Sequence, residues 1–423
     1  MKPDILLIIA DTLRKDFSQG LDKLLDLGFV KYDNAVSTSP WTLPSHVSIF
    51  TGLYPSQHGV HEYYGINDLV DDYGRLGRHA MAKYDNLISL LRDEGYRTIQ
   101  ITANSFVSPV YGFDFDESYI IPPPPIFVLD PKTFKSTFLR NTYWSSKLGL
   151  AFEMIKSGRI IELIKAGISY FHYYYLSKYP HKGCNLILDT LKKLDLSDRF
   201  FLFINEMEAH EPYSFDVIRK YGVYDYNFLR SIFLNSAEYF MIDHYKKYYS
   251  IHAEMSVNCV LNIMSELNKR LDMNNLLIII AADHGNYIGE NGRVNHGYYL
   301  SDELLKVPLY IKYPEEVGQK LKIKKDYVSI TSLYYLVKSL VYNETFQSND
   351  LIVSESYGPH QTLSFIKSKF NLSDSELKKY YSHRIRLTTR EGYIVYDINN
   401  DTIVEQRGDF NIDQIKKMKE LFN

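Results

Sequence analysis

The chain has 423 residues, 45% of them hydrophobic and 23% charged, an ordinary balance that suits one large globular domain or two smaller ones. The formal net charge of −3 gives no reason to expect nucleic acid or an anionic membrane as a partner. Two cysteines, Cys184 and Cys259, are too few for a disulfide framework. No segment reaches the roughly 18 apolar residues of a membrane span, and the apolar run near the start is too short for a signal peptide. We therefore expect a cytoplasmic location.

The first predicted element is a strand in "ILLIIA", a continuous apolar run that ends at Asp11. Such a run is typical of a strand that is buried on both faces in a parallel sheet. Open α/β sheets place their sites at the carboxyl ends of these strands, which makes Asp11 a candidate site residue. Aspartate also caps helices, and this residue taken alone favours the capping role.

Strand-like and helix-like segments alternate along much of the remaining chain. A short helix is predicted in "HVSIFTGLYP", and a helix followed by a strand in "YDNLISLLRDEGYRTIQITAN". The segments "RFFLFINEMEAH" and "NLLIIIAADHG" are predicted strands, and "EMSVNCVLNIMSELNKRL" between them has helical spacing. This alternation predicts an α/β fold with a doubly wound, mostly parallel sheet and a site along one of its edges.

Two regions depart from this alternation. Residues from about 120 to 185 are helical in pattern and rich in tyrosine, which predicts a helical insertion, either a lid over the site or a plain surface hairpin. Its tyrosines suit a packing face, a partner surface or a substrate wall. Residues 346–423 contain short strands and a final helix, and we expect a small C-terminal α+β subdomain with antiparallel strands, packed on the main sheet of a catalytic domain at 1–345.

Polar groups follow or accompany four of the predicted strand ends: Asp11, the segment around Thr42, His210, and the pair Asp283 and His284. Together they form the set expected of a divalent metal ion beside a hydroxyl nucleophile. Carboxylates suit Ca²⁺, Mg²⁺ or Mn²⁺, and added imidazoles favour Mn²⁺ or Zn²⁺. Such an ion would lower the pKa of the Thr42 hydroxyl and shield an anionic ester.

Four segments in order resemble the sulfatase-like branch of the alkaline phosphatase superfamily: "ILLIIADTLRKD", "SPWTLPSHVSIFTGLYPSQHGV", "FINEMEAHEPY" and "AADHGNYIGENGRVNHGYYLSDELLKVPLYI". The resemblance spans roughly residues 3–340, with a gap at the insertion. It implies that Asp11, Asp283 and His284 are metal ligands. It also implies that Thr42 lies where sulfatases place the cysteine or serine that is converted to formylglycine.

The chain departs from sulfatases at this core motif, which reads Thr42-Leu43-Pro44-Ser45-His46 instead of Cys/Ser-x-Pro-x-Arg. A threonine cannot become formylglycine, because oxidation of a secondary alcohol gives a ketone. In phosphodiesterases and phosphoglycerol or phosphoethanolamine transferases of the superfamily, a threonine attacks phosphorus and forms a phosphothreonine. The resemblance therefore implies that Thr42 is a catalytic nucleophile and also a metal contact. His46, in place of the arginine, and Asn104, near a missing lysine–histidine pair, are candidate substrate-binding residues.

Two further histidines are candidate catalytic residues by the same resemblance. His210 matches a histidine that contacts the anionic group or leaving oxygen of the substrate, and His296 falls where sulfatases often carry a substrate-binding lysine. Glu206 and His210 are spaced i, i+4, so Glu206, His210 and His296 are also candidates for a second metal site. Sulfatase-like proteins mostly have one metal, and we favour one divalent ion, Mn, Zn, Mg or Ca.

The expected function is that of a metal-dependent hydrolase or transferase acting on phosphate esters, of the phosphodiesterase, phosphomonoesterase or phosphonate type. A sulfuric ester hydrolase that works without formylglycine is the first alternative. A non-catalytic binding protein that keeps a metal is the second. The expected partner is a small anionic ester, whereas the natural substrate and the oligomeric state stay open.

Overall fold

Apolar runs in the sequence become the strands at the centre of the molecule. The structure, a computed structural model, describes residues 2–122, 147–171, 179–214, 224–346 and 352–410. Its strands are β1 (Asp4–Ala10), β2 (Val30–Lys31), β3 (Asn34–Val36), β4 (Arg97–Thr102), β5 (Glu117–Ile120), β6 (Phe200–Glu206), β7 (Leu276–Ala281), β8 (Tyr287–Ile288), β9 (Val294–Asn295), β10 (Lys306–Val307), β11 (Leu309–Lys312), β12 (Tyr327–Ser329), β13 (Ile352–Ser356), β14 (Arg384–Thr388), β15 (Tyr393–Asp397) and β16 (Thr402–Arg407).

The main sheet has seven strands in the order β2-β11-β7-β1-β6-β4-β5. Strands β7, β1, β6, β4 and β5 run parallel, and β11 is antiparallel to both β7 and β2. Every residue from Ile5 to Ala10 in the central strand β1 is buried, since helices cover both faces of the sheet. The predicted doubly wound, mostly parallel α/β fold is confirmed.

The helices connect these strands and flank the sheet. They are α1 (Thr42–Thr51), α2 (Pro55–His58), α3 (Leu69–Lys83), α4 (Leu87–Asp93), α5 (Lys147–Lys156), α6 (Ile160–Phe171), α7 (Cys184–Lys193), α8 (Tyr224–Phe233), α9 (Tyr239–Asn268), α10 (Asp302–Leu305), α11 (Gly318–Leu321), α12 (Ser332–Tyr342), α13 (Leu363–Lys369) and α14 (Asp374–Lys378). Helix α1 begins at Thr42, and α9 is far longer than the segment whose helical spacing predicted it.

Only part of the predicted insertion is described. Helices α5 and α6 agree with the helical pattern there, and they pack against each other across a turn at Gly158. Residues 123–146 and 172–178 lie outside the described parts, as does the predicted final helix beyond residue 410. In the described parts, no helix is both long enough and apolar enough to cross a membrane.

The predicted antiparallel strands near the C-terminus form a four-stranded sheet, β13-β14-β15-β16. One face of this sheet carries Val353, Ile385 and Ile394, which pack in an apolar cluster with Tyr54 from the segment after α1. The C-terminal sheet thus shares an apolar cluster with the segment that follows the helix beginning at Thr42. The boundary at residue 345 stays a prediction.

A disulfide joins the two cysteines. Two cysteines cannot build a framework, but Cys184 at the start of α7 and Cys259 in α9 form a single bond, 75 residues apart in sequence. This bond was not predicted, because spacing alone does not show which helix faces meet. It ties α9 to the helix that precedes β6.

Candidate active site

The carboxyl ends of β1, β6 and β7 bring the predicted metal ligands together. Asp11 follows β1, and its backbone N–H donates to the carbonyl of Glu206 at the end of β6, 2.9 Å away. Asp283 and His284 follow β7, and Thr42 begins α1. The side chains of Asp11, Thr42, Asp283 and His284 are all buried. The strand order thus assembles groups that are distant in sequence.

The buried carboxylates provide a test of whether a cation fits here. Ligand atoms of Asp11, Asp283 and His284 all lie within 4.8 Å of one another. Asp283 Oδ1 accepts backbone N–H groups of Thr12 at 3.2 Å and His284 at 2.9 Å, whereas its buried Oδ2 has no hydrogen-bond partner. Burial and the charge of Asp11 raise the pKa of Asp283 well above its usual range. A divalent cation would relieve both the repulsion and the unpaired oxygen, so these residues fit one.

The His284 ring presents a lone pair to Thr42. Its Nδ1 lies 2.9 Å from the carbonyl oxygen of Gly285, which can only accept, so Nδ1 carries the proton. Burial lowers the pKa of His284 to about 4, which keeps the ring neutral. Nε2 is then an acceptor, and it lies 3.3 Å from the hydroxyl oxygen of Thr42. This tautomer is the one that metal-binding histidines adopt.

The backbone beside Asp11 is held in an unusual conformation. Thr12 has a φ of +65°, in the left-handed region that β-branched residues avoid, at a cost of roughly 1–3 kcal/mol. Its hydroxyl donates to Asp11 Oδ1 at 2.7 Å, and its carbonyl accepts the hydroxyl of Tyr249 from α9 at 2.7 Å. These bonds hold Thr12 in place and fix the direction of the Asp11 carboxylate.

Asn104 links two predicted site residues. Its side chain follows β4, where Nδ2 donates to Asp11 Oδ2 at 2.7 Å and lies 3.5 Å from Thr42 Oγ1. Its Oδ1 accepts the backbone N–H of Phe106 at 2.9 Å, which fixes the orientation of the amide. Asn104 is therefore placed to orient both a carboxylate and the hydroxyl.

His46 lies in the interior of the site, where its Nδ1 is 3.5 Å from Asp283 Oδ2. The ring is fully buried one turn after Thr42, and its Nδ1 donates to the Thr42 carbonyl at 2.9 Å. Its Nε2 lies 3.3 Å from the side-chain amide of Asn205. Burial lowers the pKa of His46 to about 4, so the ring is neutral. This position does not fit the predicted substrate-binding role, because both nitrogens are engaged inside the protein; His46 holds the first turn of α1.

A second group of possible ligands lies beside the first. Ligand atoms of His210, Glu211 and His296 lie within 4.8 Å of one another, and the ring centroids of His296 and His284 are 4.4 Å apart. His210 Nδ1 donates to the Glu211 carbonyl at 2.8 Å, and His296 Nδ1 lies 3.3 Å from Asn286 Oδ1. Burial lowers the pKa of His296 well below its usual value, so this ring is neutral and leaves Nε2 as a lone pair, and Glu211 Oε2 is buried without a partner.

Glu206 is not part of this second group, contrary to its predicted place as a ligand with the two histidines. Its carboxylate accepts the hydroxyl of Ser256 on α9 and the backbone N–H of Glu208 at 2.8 Å. Burial raises the pKa of Glu206 to about 8. Glu211 takes the place that the i, i+4 spacing suggested for Glu206, because β6 ends at Glu206 and the chain then turns.

The C-terminal region contributes a histidine near the site, His360, that the sequence did not predict. His360, in the loop after β13, stacks between Trp41 and Phe228, with ring centroids 5.3 Å from each, and faces His296 at 6.3 Å. Gly297 permits this approach, since a Cβ there would lie 2.4 Å from His360 Nδ1. The available signal was a histidine a few residues after a predicted strand end, as for His210.

The geometry of the site agrees with the comparisons. The family model described as Sulfatase matches residues 3–341. The chain belongs to the sulfatase family. The resemblance read from the four segments is thereby confirmed, and the protein is an ester hydrolase of the sulfatase-like kind. Enzymes of this family use divalent metal ions, which agrees with the buried carboxylates described above.

Solved structures resemble this sulfatase-family protein over nearly their whole length. The phosphonate monoester hydrolase of Agrobacterium radiobacter has a TM-score of 0.58 at 14% identity, covering 99% of this chain and 94% of its own. A 2-O GAG sulfatase gives 0.55 at 14%, covering 100% and 90%. A protein in complex with its substrate D-glucosamine-2-N,6-O-disulfate gives 0.55 at 12%, covering 100% and 96%. These likenesses show the fold; no curated protein sequence matches.

Proposed function

We propose that the protein is a metal-dependent hydrolase or transferase of phosphate esters in which Thr42 is the nucleophile. The observation that carries this proposal is the position of the Thr42 hydroxyl oxygen. It lies 3.3 Å from the lone pair of His284 Nε2 and 3.5 Å from Asn104 Nδ2, at the edge of a buried pair of carboxylates. A secondary alcohol at this place excludes the formylglycine route but suits direct attack.

Asp11, Asp283 and His284, together with Thr42, would hold one divalent ion, Mn, Zn, Mg or Ca. When bound, the ion lowers the pKa of the hydroxyl and neutralises part of the charge on the ester. The orphaned Oδ2 of Asp283 and the tautomer of His284 support this assignment. Asn104 then keeps Asp11 and Thr42 in register through its two amide hydrogens.

The reaction has two displacements at phosphorus. The Thr42 oxygen loses its proton and bonds to phosphorus, while the ester oxygen leaves with its electron pair and takes up a proton. Water, or an acceptor alcohol in a transferase, then attacks the same phosphorus and releases Thr42. The rings of His210 and His296 lie next to His284, where they would meet the phosphoryl oxygens or the leaving group through a second ion that they help to bind.

We extend the proposal to a second ion at His210, Glu211 and His296, in place of the single ion favoured from the sequence, and a tautomer argument supports it. The neutral ring of His296, whose Nδ1 is engaged with Asn286, offers Nε2 as a lone pair, which coordinates a cation or accepts a proton but does not donate to an anionic oxygen. The unpaired Oε2 of Glu211 adds a negative ligand. Metal analysis of the loaded enzyme decides the matter: two ions per chain falling to one in Glu211→Gln is the expected result, and one ion in both contradicts it.

The test of the reaction is a metal-by-substrate panel. The stripped enzyme is reloaded with Mn²⁺, Zn²⁺, Mg²⁺ or Ca²⁺ and given an aryl phosphate monoester, diester, phosphonate and sulfate. We expect metal-dependent turnover of a phosphorus ester, with kcat/KM at least about a thousandfold lower in Thr42→Ala. Thr51→Ala is the matched control, because Thr51 ends the same helix and its hydroxyl bonds only to backbone groups there.

Three outcomes of this panel contradict the proposal. Faster turnover of the sulfate than of any phosphorus ester would assign the protein to sulfuric ester hydrolysis. Full activity in Thr42→Ala would remove the nucleophile from the account. Silence on all four esters with metal bound would favour the non-catalytic binding protein.

A further inference from the structure

The hairpin of helices α5 and α6 exposes an unusual amount of apolar surface. Of the large apolar side chains that the described residues expose, half lie on this hairpin. All seven of them are more than half exposed: Phe152, Ile155, Ile160, Ile161, Ile164, Ile168 and Phe171. Met154 and Ala166, by contrast, are buried. A water-soluble surface rarely carries such a patch unless something covers it.

We call the seven residues just named the hairpin stripe. On α6 the residues follow the spacing of a single helix face, from Ile160 and Ile161 through Ile164 to Ile168. An exposed apolar helix face of this kind usually contacts another molecule. The charged residues near the face indicate which kind of molecule that is.

The sequence of the hairpin and its flanks is strongly basic. Residues 131–181 carry eight Lys and Arg against two Asp and Glu, whereas the whole chain has 48 against 51. Lys156 and Lys165 are exposed on the two helices, and Lys165 lies one turn from Ile161 and Ile168. The net charge of the chain, which gave no reason to expect an anionic membrane, therefore conceals a local excess of positive charge.

We propose that the hairpin stripe docks on the surface of an anionic phospholipid bilayer. An amphipathic helix that combines an apolar face with flanking lysines lies in the headgroup region of such a bilayer. A second copy of the chain is a poorer occupant, because a two-fold contact would bring two basic patches together.

The test uses the full chain and vesicle sedimentation. Vesicles of phosphatidylcholine alone are compared with vesicles of phosphatidylcholine and phosphatidylglycerol in equal parts. We expect the protein to sediment with the anionic vesicles, with at least about tenfold weaker binding to the neutral ones. The double variant Ile161→Glu with Ile168→Glu should lose binding to a similar extent, and so should Lys156→Glu with Lys165→Glu.

The matched control is Ile403→Glu with Val404→Glu, which changes two exposed apolar residues of β16 and should bind as the unchanged protein does. Binding that survives in Ile161→Glu with Ile168→Glu, or no binding by the unchanged protein, would overturn the proposal. The proposal would also be overturned if the unchanged protein formed a dimer, the variant were a monomer and neither bound vesicles. It would be overturned as well if the variant unfolded, because the face would then be covered by the protein's own chain. Turnover of a soluble aryl ester, measured alongside, should stay the same in every variant, so this proposal and the proposed reaction fail independently.

Discussion

At the scale of single residues, the environment of Thr42 depends on a few short contacts. The side-chain amide of Asn104 reaches both Asp11 and Thr42, and the His284 ring presents its unprotonated nitrogen to the same hydroxyl. The Thr12 hydroxyl donates to the second oxygen of the Asp11 carboxylate, Oδ1, and the backbone of Thr12 is strained. Each of these groups is buried, so none adjusts freely when a neighbour is lost.

The substitution Asn104→Ala tests this dependence. It removes the 2.7 Å bond to Asp11 Oδ2 and the amide near Thr42, while it leaves the hydroxyl and all candidate metal ligands in place. We expect activity or metal affinity to fall about 10–100-fold, the usual effect of losing a group that orients metal ligands. The measurement is kcat and KM at several metal concentrations.

A fall in kcat that excess metal does not restore would assign Asn104 to the orientation of Thr42, whereas a fall that excess metal restores would assign it to Asp11. Both results keep Asn104 as a positioning residue. Unchanged kinetics at every metal concentration would contradict this role.

At the scale of elements, helix α9 forms hydrogen bonds with the backbone and side chains next to the site residues. The hydroxyl of Tyr249 donates to the Thr12 carbonyl and accepts the backbone N–H of Arg14 at 2.9 Å. Ser256, about two turns further on, donates to Glu206 at the end of β6. The helix therefore contacts the ends of two strands that deliver site residues, and its position matters for both.

The disulfide between α7 and α9 should stabilise this arrangement. It closes a loop over a sequence separation of 75 residues, and removing a native bond of this kind typically costs about 2–5 kcal/mol. We expect a reducing agent to lower the free energy of unfolding by an amount in this range. Urea unfolding with and without the reductant, at constant metal concentration, measures it.

The control is the double variant Cys184→Ser with Cys259→Ser, whose stability should be low already and insensitive to the reductant. Equal stability of the unchanged protein under both conditions would show that the bond is not formed in solution. Disulfides persist mainly in oxidising compartments, so a confirmed bond would argue against the cytoplasmic location expected from the sequence.

At the scale of the whole molecule, the parallel sheet was predictable because its strands are buried on both faces. Continuous apolar runs such as Ile5–Ala10 and Leu276–Ala281 are too short for a typical buried helix, and this length is typical of strands that are buried on both faces. The order of the four family segments then placed Asp11, Thr42, Asp283 and His284, and the structure brings all four together.

The rest was not predictable, because it depends on contacts between distant segments. Glu211 replaces Glu206 because β6 ends at Glu206 and the chain then turns, so the i, i+4 spacing of a helix does not apply there. His360 stacks on Trp41, and the C-terminal sheet shares an apolar cluster with Tyr54; both are contacts between segments that are far apart in sequence. His46 is turned inward by its bond to the Thr42 carbonyl, a detail that a motif match cannot show.

The most direct test of the central claim is to trap the group bound to Thr42. The metal-loaded enzyme is mixed with the phosphorus ester that it turns over fastest, quenched in acid within one turnover, and digested for mass spectrometry with fragmentation. The account predicts the phosphorus-containing group of the substrate on Thr42, and none on the same peptide from Thr42→Ala. Turnover without a modified Thr42, or with the group on Ser45 instead, would contradict it.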